Sequence, residues 1–159
     1  MTRKLPKTIT ERELLVGIKA VNNPKYRLAF LLGFYQCMRV SEVCSLKRAD
    51  IDHQRGFIHI KCSKFNKDRD IPIMPPLKYA LRHLPINLGH RQLQRVVKKY
   101  WPDIKFHSLR HSGATFYMNE KNHDIRLIQQ LLGHANIQTT QIYTHITPRN
   151  LQDKMYEQW

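Results

Sequence analysis

Arg39 lies where a strongly apolar segment meets a second predicted helix that begins with Ser41-Glu42. A guanidinium group at such a buried junction is costly unless it meets a fixed anion, so this position suits phosphate binding. Glu42, three residues further on, can hold that guanidinium in place. For this cluster taken alone, a simple internal Arg–Glu ion pair is the favoured alternative.

A second polar cluster, His107-Ser108-Leu109-Arg110-His111, begins another predicted helix. His107 and Arg110 share one helix face because they are three residues apart. A histidine and an arginine beside a helix N-terminus suit a phosphate group. The spacing of His107 and His111 also matches two ligands of the zinc motif HExxH. Ser108 stands where that motif has a glutamate, so we expect no metal at this site.

The third cluster has Gly133-His134 at the end of a predicted helix and Tyr143 at the end of the next one. A free tyrosine has a pKa of about 10, so it acts as a nucleophile only where positive charge or a base activates it. A single tyrosine in such a position is more often a core or interface residue. Tyr143, one of seven tyrosines, is therefore a candidate only in the company of the other clusters.

The charge of the chain indicates a polyanionic partner. Its 159 residues carry 27 Lys and Arg against 12 Asp and Glu, a formal net charge of +15 with a pI near 10.0. The segment 61–105 alone has eleven basic and three acidic residues. A solvated, solubilising face is the alternative. Because histidines, hydroxyl groups and arginines accompany the charge, we expect contact with the phosphates of nucleic acid.

Composition and cysteine usage argue against several other classes of protein. A chain of 159 residues with 42% hydrophobic residues is typical of one domain with a buried core. Cys37, Cys44 and Cys62 form no CxxC motif, which argues against a disulfide framework and a zinc ribbon. No apolar run approaches membrane-spanning length, and the basic start lacks a signal-peptide stretch. We therefore expect a cytoplasmic, nucleoid-associated protein with no membrane partner.

Hydrophobic periodicity predicts an α+β fold, a mainly helical single domain with a small antiparallel β-sheet. The first helix follows a capping box formed by Thr10 and Glu13 and ends before Asn22-Asn23-Pro24. The further predicted helices are 26–38, 41–46 with Ser41 as N-cap, 77–84, 91–101, 108–118, 124–132 with Asp124 as N-cap and Gly133 as stop, 137–143 and 150–159. The predicted strands are Ile51, 57–60 and 71–73, of which the last two form a hairpin with a basic tip, and Pro72 indicates an edge strand.

These three clusters, in this order and with a basic hairpin after the first, resemble the tyrosine recombinase (phage integrase) family. The resemblance runs from Thr8 to the end of the chain. The residues that carry it are Arg39 with Ser41-Glu42 and Leu46, then 107–111, then Leu131-Leu132-Gly133-His134 with Thr139-Thr140 and Tyr143. It implies an integrase-like catalytic domain over 1–159, without the helical N-terminal domain that normally closes the family's clamp around DNA.

The resemblance implies that Arg39 and Arg110 clamp the scissile phosphate of double-stranded DNA. His107 would be the proton-transfer partner, and His134 would donate a hydrogen bond to a phosphate oxygen. Tyr143 would attack phosphorus and form a 3′-phosphotyrosine bond. Fixed guanidinium groups would offset the developing charge without a metal. The covalent bond conserves the energy of the broken linkage, so no nucleotide cofactor is needed.

In the family, a lysine of the hairpin protonates the departing 5′-oxygen. Aligning the hairpin exit, 67–72, places this lysine at Lys64, with Lys61 and Lys67 as competitors. Together with Arg69, these two lysines would also contact DNA.

Glu42 matches an acidic position of the family that orients the first arginine. The sequence departs from the family pattern at Gln36-Cys37, where Thr-Gly is usual. It departs again at Ser63 and Phe65, where glycines commonly flank the lysine.

The implied reaction is site-specific recombination, which needs two DNA sites and usually four protomers. We therefore expect a monomer in solution that assembles into a tetramer on DNA. After Pro148, the tail presents Leu151, Met155 and Trp159 on one face, either to a neighbouring protomer or to its own domain. Two other functions remain as alternatives, namely DNA relaxation like that of a type IB topoisomerase and a catalytically silent DNA-binding module.

Overall fold

The structure, a computed structural model, describes residues 7–61, 68–133, 148–157 and 159. Its α-helices are α1 Glu11–Lys19, α2 Pro24–Tyr35, α3 Val40–Ser45, α4 His90–Tyr100, α5 Phe106–Asn119, α6 Ile125–Leu132 and α7 Pro148–Tyr156. Its strands are β1 Ile51–Asp52, β2 Phe57–Ile60 and β3 Arg69–Pro72. The predicted fold class, mainly helical with a small antiparallel sheet, is confirmed. In the ranges given above, no helix has the length and apolar character needed to cross a membrane.

Helices α2 and α5 form the centre of the core. Helix α2 buries side chains around most of its circumference, including Phe30 and Phe34, which explains why its sequence lacks a polar face. Helix α5 approaches it closely at Gly113, where a Cβ atom would lie 1.9 Å from the Phe34 carbonyl oxygen. Because only glycine allows this approach, Gly113 sets the distance between α5, which carries Arg110, and the chain segment that leads to Arg39.

The first two helices begin where local sequence signals place them. The predicted capping box of α1 is confirmed, because the Thr10 side chain accepts the Glu13 backbone N–H and the Glu13 carboxylate accepts the Thr10 backbone N–H. Helix α2 begins at Pro24, two residues earlier than predicted, because proline is well suited to the first turn of a helix. It ends at Tyr35 rather than at residue 38.

The turn between α2 and α3 presents Arg39 to the site. Cys37 has a φ of 50°, a left-handed backbone conformation that ends the helical run. The N-cap of α3 is Arg39, so the prediction of Ser41 as N-cap is wrong. The Glu42 carboxylate accepts the Arg39 backbone N–H at 2.8 Å, and this bond fixes the cap two residues earlier than predicted.

The three strands form one sheet in the order β1-β2-β3. Strands β2 and β3 pair antiparallel, with His59 opposite Asp70 and Ile60 opposite Arg69. The predicted hairpin pairing is therefore confirmed. Pro72 lies on the edge strand β3, as predicted. Most of the predicted hairpin tip, residues 62–67, lies outside the described residues, as does the predicted helix 137–143.

The predicted helix at 77–84 is wrong. Two short 3-10 helices, Pro75–Leu77 and Ala80–His83, take its place. The Arg48 side chain, from another segment of the chain, donates to the Leu84 carbonyl at 2.6 Å and to the Arg82 carbonyl at 3.3 Å. The proline that follows Leu84 also disfavours a helical conformation there.

The next three helices agree with the predictions to within one or two residues. Helix α4 covers His90–Tyr100, one residue earlier at each end than predicted. The N-cap of α6 is Asp124, and Gly133 ends that helix with a φ of 66°, both as predicted.

The C-terminal helix packs on its own domain rather than projecting away from it. Leu151 and Met155 are fully buried. The Tyr156 hydroxyl donates to the Ile73 carbonyl at 2.6 Å, next to the end of β3. The Trp159 ring lies 5.8 Å from the Tyr35 ring, centroid to centroid. Of the two predicted alternatives, docking on a neighbouring protomer or packing on its own domain, the tail adopts the second in this structure.

Candidate active site

A buried carboxylate joins two arginines at the start of α3. Glu42 is 7% exposed. Its Oε1 accepts hydrogen bonds from Arg39 Nη1 and from Arg69 Nη1, both at 3.0 Å. Its Oε2 accepts from Arg69 Nη2 at 3.2 Å and from the Arg39 backbone N–H at 2.8 Å. The carboxylate therefore fixes the Arg39 side chain and its backbone together.

The two arginines also keep Glu42 ionised. Burial raises the pKa of Glu42, but the hydrogen bonds and charge of Arg69 and then those of Arg39 outweigh burial, so the pKa lies below its ordinary value. Removing one partner from such a buried cluster is costly, because it leaves a buried charge that is not compensated. The side chain of Arg39 is 32% exposed and that of Arg69 is 13% exposed, so Arg39 is the one that faces solvent.

Arg110 is anchored by two backbone carbonyls. The residue is 3% exposed on α5, and its guanidinium donates to the Cys37 carbonyl at 2.7 Å and to the Leu132 carbonyl at 2.8 Å. The left-handed turn at Cys37 and the helix end at Gly133 direct these two carbonyls toward it. The last carbonyls of a helix carry partial negative charge, so the end of α6 favours a cation at this point.

Arg39 and Arg110 lie close enough to act on each other. Burial lowers the pKa of Arg110 to about 10, and the charge of Arg39 contributes to the lowering. The Arg110 guanidinium is therefore still protonated at neutral pH. The fold thus brings together two positive groups, Arg39 and Arg110, that are 71 positions apart in the sequence. Arg110 donates to the carbonyl of Cys37, two residues before Arg39, and guanidinium groups are the donors that bind oxyanions most strongly.

His107 lies one turn before Arg110 on α5, at the exposed surface beside the two arginines. Its ring packs edge-to-face against the His111 ring with centroids 4.5 Å apart. Partial desolvation of the ring lowers the pKa of His107 below its ordinary value, and the charges of His111, Arg110 and Arg39 lower it further. A neutral imidazole at pH 7 can accept a proton, which is the property that a proton-transfer partner of a nucleophile needs.

We expect His107 to titrate below the ordinary histidine value of about 6.5. Replacing His111 with asparagine removes one of the charges that lower this pKa, so the midpoint should rise in His111→Asn. Since the folded state disfavours the proton, stability should fall as the pH drops through about 6.5 towards the lower native pKa. An NMR titration of the ring nitrogens measures the midpoint. A native midpoint at or above the ordinary value would contradict this electrostatic description.

Two residues predicted to contact DNA have protein partners in the structure. Lys61, at the end of β2, forms an ion pair with the buried Asp50 at 2.9 Å, although its own side chain is 67% exposed. Arg69 lies in the buried pair with Glu42 instead of on the outer face of the hairpin. Strand alternation contained a signal for this, because Arg69 and the buried Ile71 share one face of β3.

Four of the predicted site residues, Lys64, Lys67, His134 and Tyr143, lie outside the described residues. Gly133, which immediately precedes His134, is described at the end of α6. Among the residues that the structure describes, no group of three or more His, Cys, Asp or Glu could hold a metal ion.

The chain matches the model of the phage integrase family over residues 7–92 and 86–150. It is 35% identical over 174 residues to tyrosine recombinase XerA of Pyrococcus horikoshii, an alignment that covers 95% of this chain and 61% of that protein. The chain therefore spans less than two thirds of the length of this relative.

Solved structures have the same fold. The crystal structure of XerA recombinase matches with a TM-score of 0.70 and 27% identity, covering 98% of this chain and 66% of that one. A lambda integrase dimer bound to a COC′ core site matches with a TM-score of 0.67 and 22% identity, covering 92% of this chain and 64% of that one. The second likeness concerns the fold alone. The predicted integrase-like core is confirmed.

Proposed function

Because this chain belongs to the phage integrase family, we propose that it is the catalytic domain of a site-specific DNA recombinase. It cleaves and rejoins double-stranded DNA through a 3′-phosphotyrosine intermediate. The observation that carries the proposal is the meeting of Arg39 and Arg110 beside His107, with Glu42 holding Arg39 in place. The arrangement provides fixed positive charge where a phosphodiester gains negative charge during displacement.

The two guanidinium groups bind the non-bridging oxygens of the scissile phosphate. These oxygens gain charge as the five-coordinate transition state forms, and preorganised donors at that point supply a large part of the rate acceleration. His134 donates a further hydrogen bond to the same phosphate. The protein supplies this stabilisation with its own side chains and needs no metal or nucleotide cofactor.

Tyr143 supplies the nucleophile. Its phenolic oxygen forms a bond to phosphorus while the bond from phosphorus to the 5′-oxygen breaks, and its proton passes to the neutral imidazole of His107. Lys64 gives a proton to the departing 5′-oxygen, which leaves as a hydroxyl group. In the reverse direction, a 5′-hydroxyl attacks the phosphotyrosine and releases Tyr143, so rejoining requires no external energy source.

Exchange between two duplexes requires four strand cleavages. We therefore infer that four copies assemble on DNA, while the packing of α7 on its own domain is compatible with a monomer in solution. Tyrosine recombinase XerA, the relative described above, supports DNA as the substrate. The net charge of +15 favours the same partner, and such an enzyme acts at the nucleoid.

The test is covalent capture of DNA. The wild-type chain is incubated, in buffer with EDTA, with nicked duplexes whose sequence is randomised on both sides of the nick. Cleavage near the nick releases a short oligonucleotide that diffuses away and traps the intermediate. We expect adducts that resist SDS, enriched in particular sequences, and undiminished by EDTA. Stable binding without any adduct would instead support a silent DNA-binding module. Adducts without sequence enrichment, with relaxation of supercoiled plasmid, would support a topoisomerase.

A further inference from the structure

The Glu42 carboxylate has more positive partners than the orientation of Arg39 requires. Arg39 alone could be held by its two bonds to Glu42, one from the backbone and one from the side chain. Arg69 nevertheless adds two more bonds to the same carboxylate, one to each oxygen. The Arg69 side chain is 13% exposed and that of Arg39 is 32% exposed, so Arg39 is the more accessible of the two.

The second guanidinium changes the charge that the cluster presents. Arg39 paired with Glu42 alone would form a neutral unit, and its attraction for a phosphate would be largely cancelled at short range. With Arg69 included, two guanidiniums and one carboxylate carry a net charge of +1. Glu42 can then orient Arg39 while Arg39 keeps its positive potential on the solvent side.

Arg69 also contacts the end of α6. A Cβ atom at Gly133 would lie 2.8 Å from the Arg69 guanidinium carbon and 2.9 Å from its Cδ, so the side chain lies directly against this glycine. Gly133 is the residue before His134, and Arg69 begins the strand that follows residues 62–67. One largely buried side chain at the base of the hairpin therefore touches both the start of α3 and the end of α6.

We propose that Arg69 is a positioning residue of the active site, which neutralises Glu42 so that Glu42 orients Arg39 without cancelling its charge. This inference rests on the proposed function, because it assigns Arg69 to the phosphate-binding step of that reaction. It replaces the earlier expectation that Arg69 contacts DNA. A DNA contact would act on the affinity for the duplex, whereas a positioning residue acts on the rate of cleavage in the bound complex.

The experiment is a double-mutant cycle on the whole chain. The variants are Arg69→Met, Glu42→Gln and the two combined, with Arg69→Lys as the conservative replacement. Arg55→Met is the matched control, because it removes an arginine whose side chain is 80% exposed and whose ion pair is long, at 4.0 Å. Single-turnover adduct formation on a captured nicked duplex gives the maximal rate and the apparent Kd. Circular dichroism melting reports whether each variant is folded.

We expect Arg69→Met to lower the maximal rate by about 10- to 100-fold with little change in Kd, since misplacing one group has effects of this size. Arg69→Lys should retain more activity than Arg69→Met, because it keeps the charge while losing the paired geometry. In the Glu42→Gln background, Arg69→Met should have little further effect, because there is no carboxylate left to neutralise. Arg55→Met should resemble the wild type.

Orthovanadate, a phosphate analogue, provides a second measurement that needs no catalysis. Its affinity, measured by calorimetry, should weaken in Arg69→Met only when Glu42 is present. If the wild type forms no adduct but this vanadate cycle holds, the proposed function fails while the positioning role stands. The positioning role fails if the combined variant loses as much maximal rate as the product of the losses in Arg69→Met and Glu42→Gln. It also fails if Arg69→Met weakens DNA binding alone, or if Arg69→Met matches Arg55→Met in both measurements.

Discussion

Replacing Tyr143 with phenylalanine is expected to abolish the covalent protein–DNA adduct. The substitution removes the one atom that forms the bond to phosphorus. Loss of a nucleophile of this kind lowers rates by roughly 10⁶-fold in enzymes that use covalent catalysis, which here places adduct formation below detection. The ring is retained, so the variant should fold and bind duplex DNA like the wild type. Denaturing gels of the nicked-duplex reaction measure the adduct, and a mobility-shift assay measures binding.

Tyr79→Phe is the matched control for this variant. Tyr79 is 78% exposed and lies between the two 3-10 helices, outside the proposed site. We expect a normal adduct in Tyr79→Phe and none in Tyr143→Phe. An adduct that persists in Tyr143→Phe would mean that another side chain is the nucleophile.

The second large effect is expected at Arg110. Replacing it with lysine keeps a positive charge but removes the planar fork that donates to both the Cys37 and Leu132 carbonyls. A single ammonium group cannot keep both carbonyls and also meet a phosphate oxygen in the geometry of the transition state. We expect the maximal cleavage rate to fall by about 10²–10³-fold, the usual effect of losing one preorganised donor.

The same substitution should also reduce stability. A buried carbonyl left without its donor costs about 1–3 kcal/mol in the free energy of unfolding. Urea unfolding measures this loss, and single-turnover cleavage measures the rate. Arg12→Lys, at an exposed position of α1, should change neither quantity. A rate in Arg110→Lys equal to that of Arg12→Lys would remove Arg110 from the proposed phosphate clamp.

The sequence was sufficient for the parts of the fold that depend on local signals. The capping box at Thr10, the helix stop at Gly133 and the pairing of β2 with β3 each follow from a short pattern that the structure retains. The error at 77–84 has a local and a tertiary cause. Leu84 precedes a proline, which disfavours a helical conformation there, and the Arg48 side chain, from another segment, donates to the Leu84 and Arg82 carbonyls. Of these two causes, only the contact with Arg48 has no signal in the sequence of that segment.

The candidate site also contains residues that the sequence could identify and one residue whose role depends on tertiary contacts. Arg39, His107 and Arg110 could be selected from residue type and order, and the structure brings them together. The role of Arg69 could not be read from its position in a basic hairpin, because charge runs on hairpins usually face solvent. Its burial depends on a tertiary contact with Glu42 and Gly133, which come from two other segments of the chain. The inward face of β3 was the one local indication.

Mass spectrometry of the captured adduct identifies the side chain that is bonded to DNA. After SDS, trypsin and nuclease treatment, the nucleotide should be found on the peptide 127–149, in which Tyr143 is the single tyrosine. A label on the strand upstream of the cleaved bond should stay with the protein, and the released fragment should carry a free 5′-hydroxyl group. A nucleotide on any other residue, or a link through a 5′-phosphate, would contradict the account.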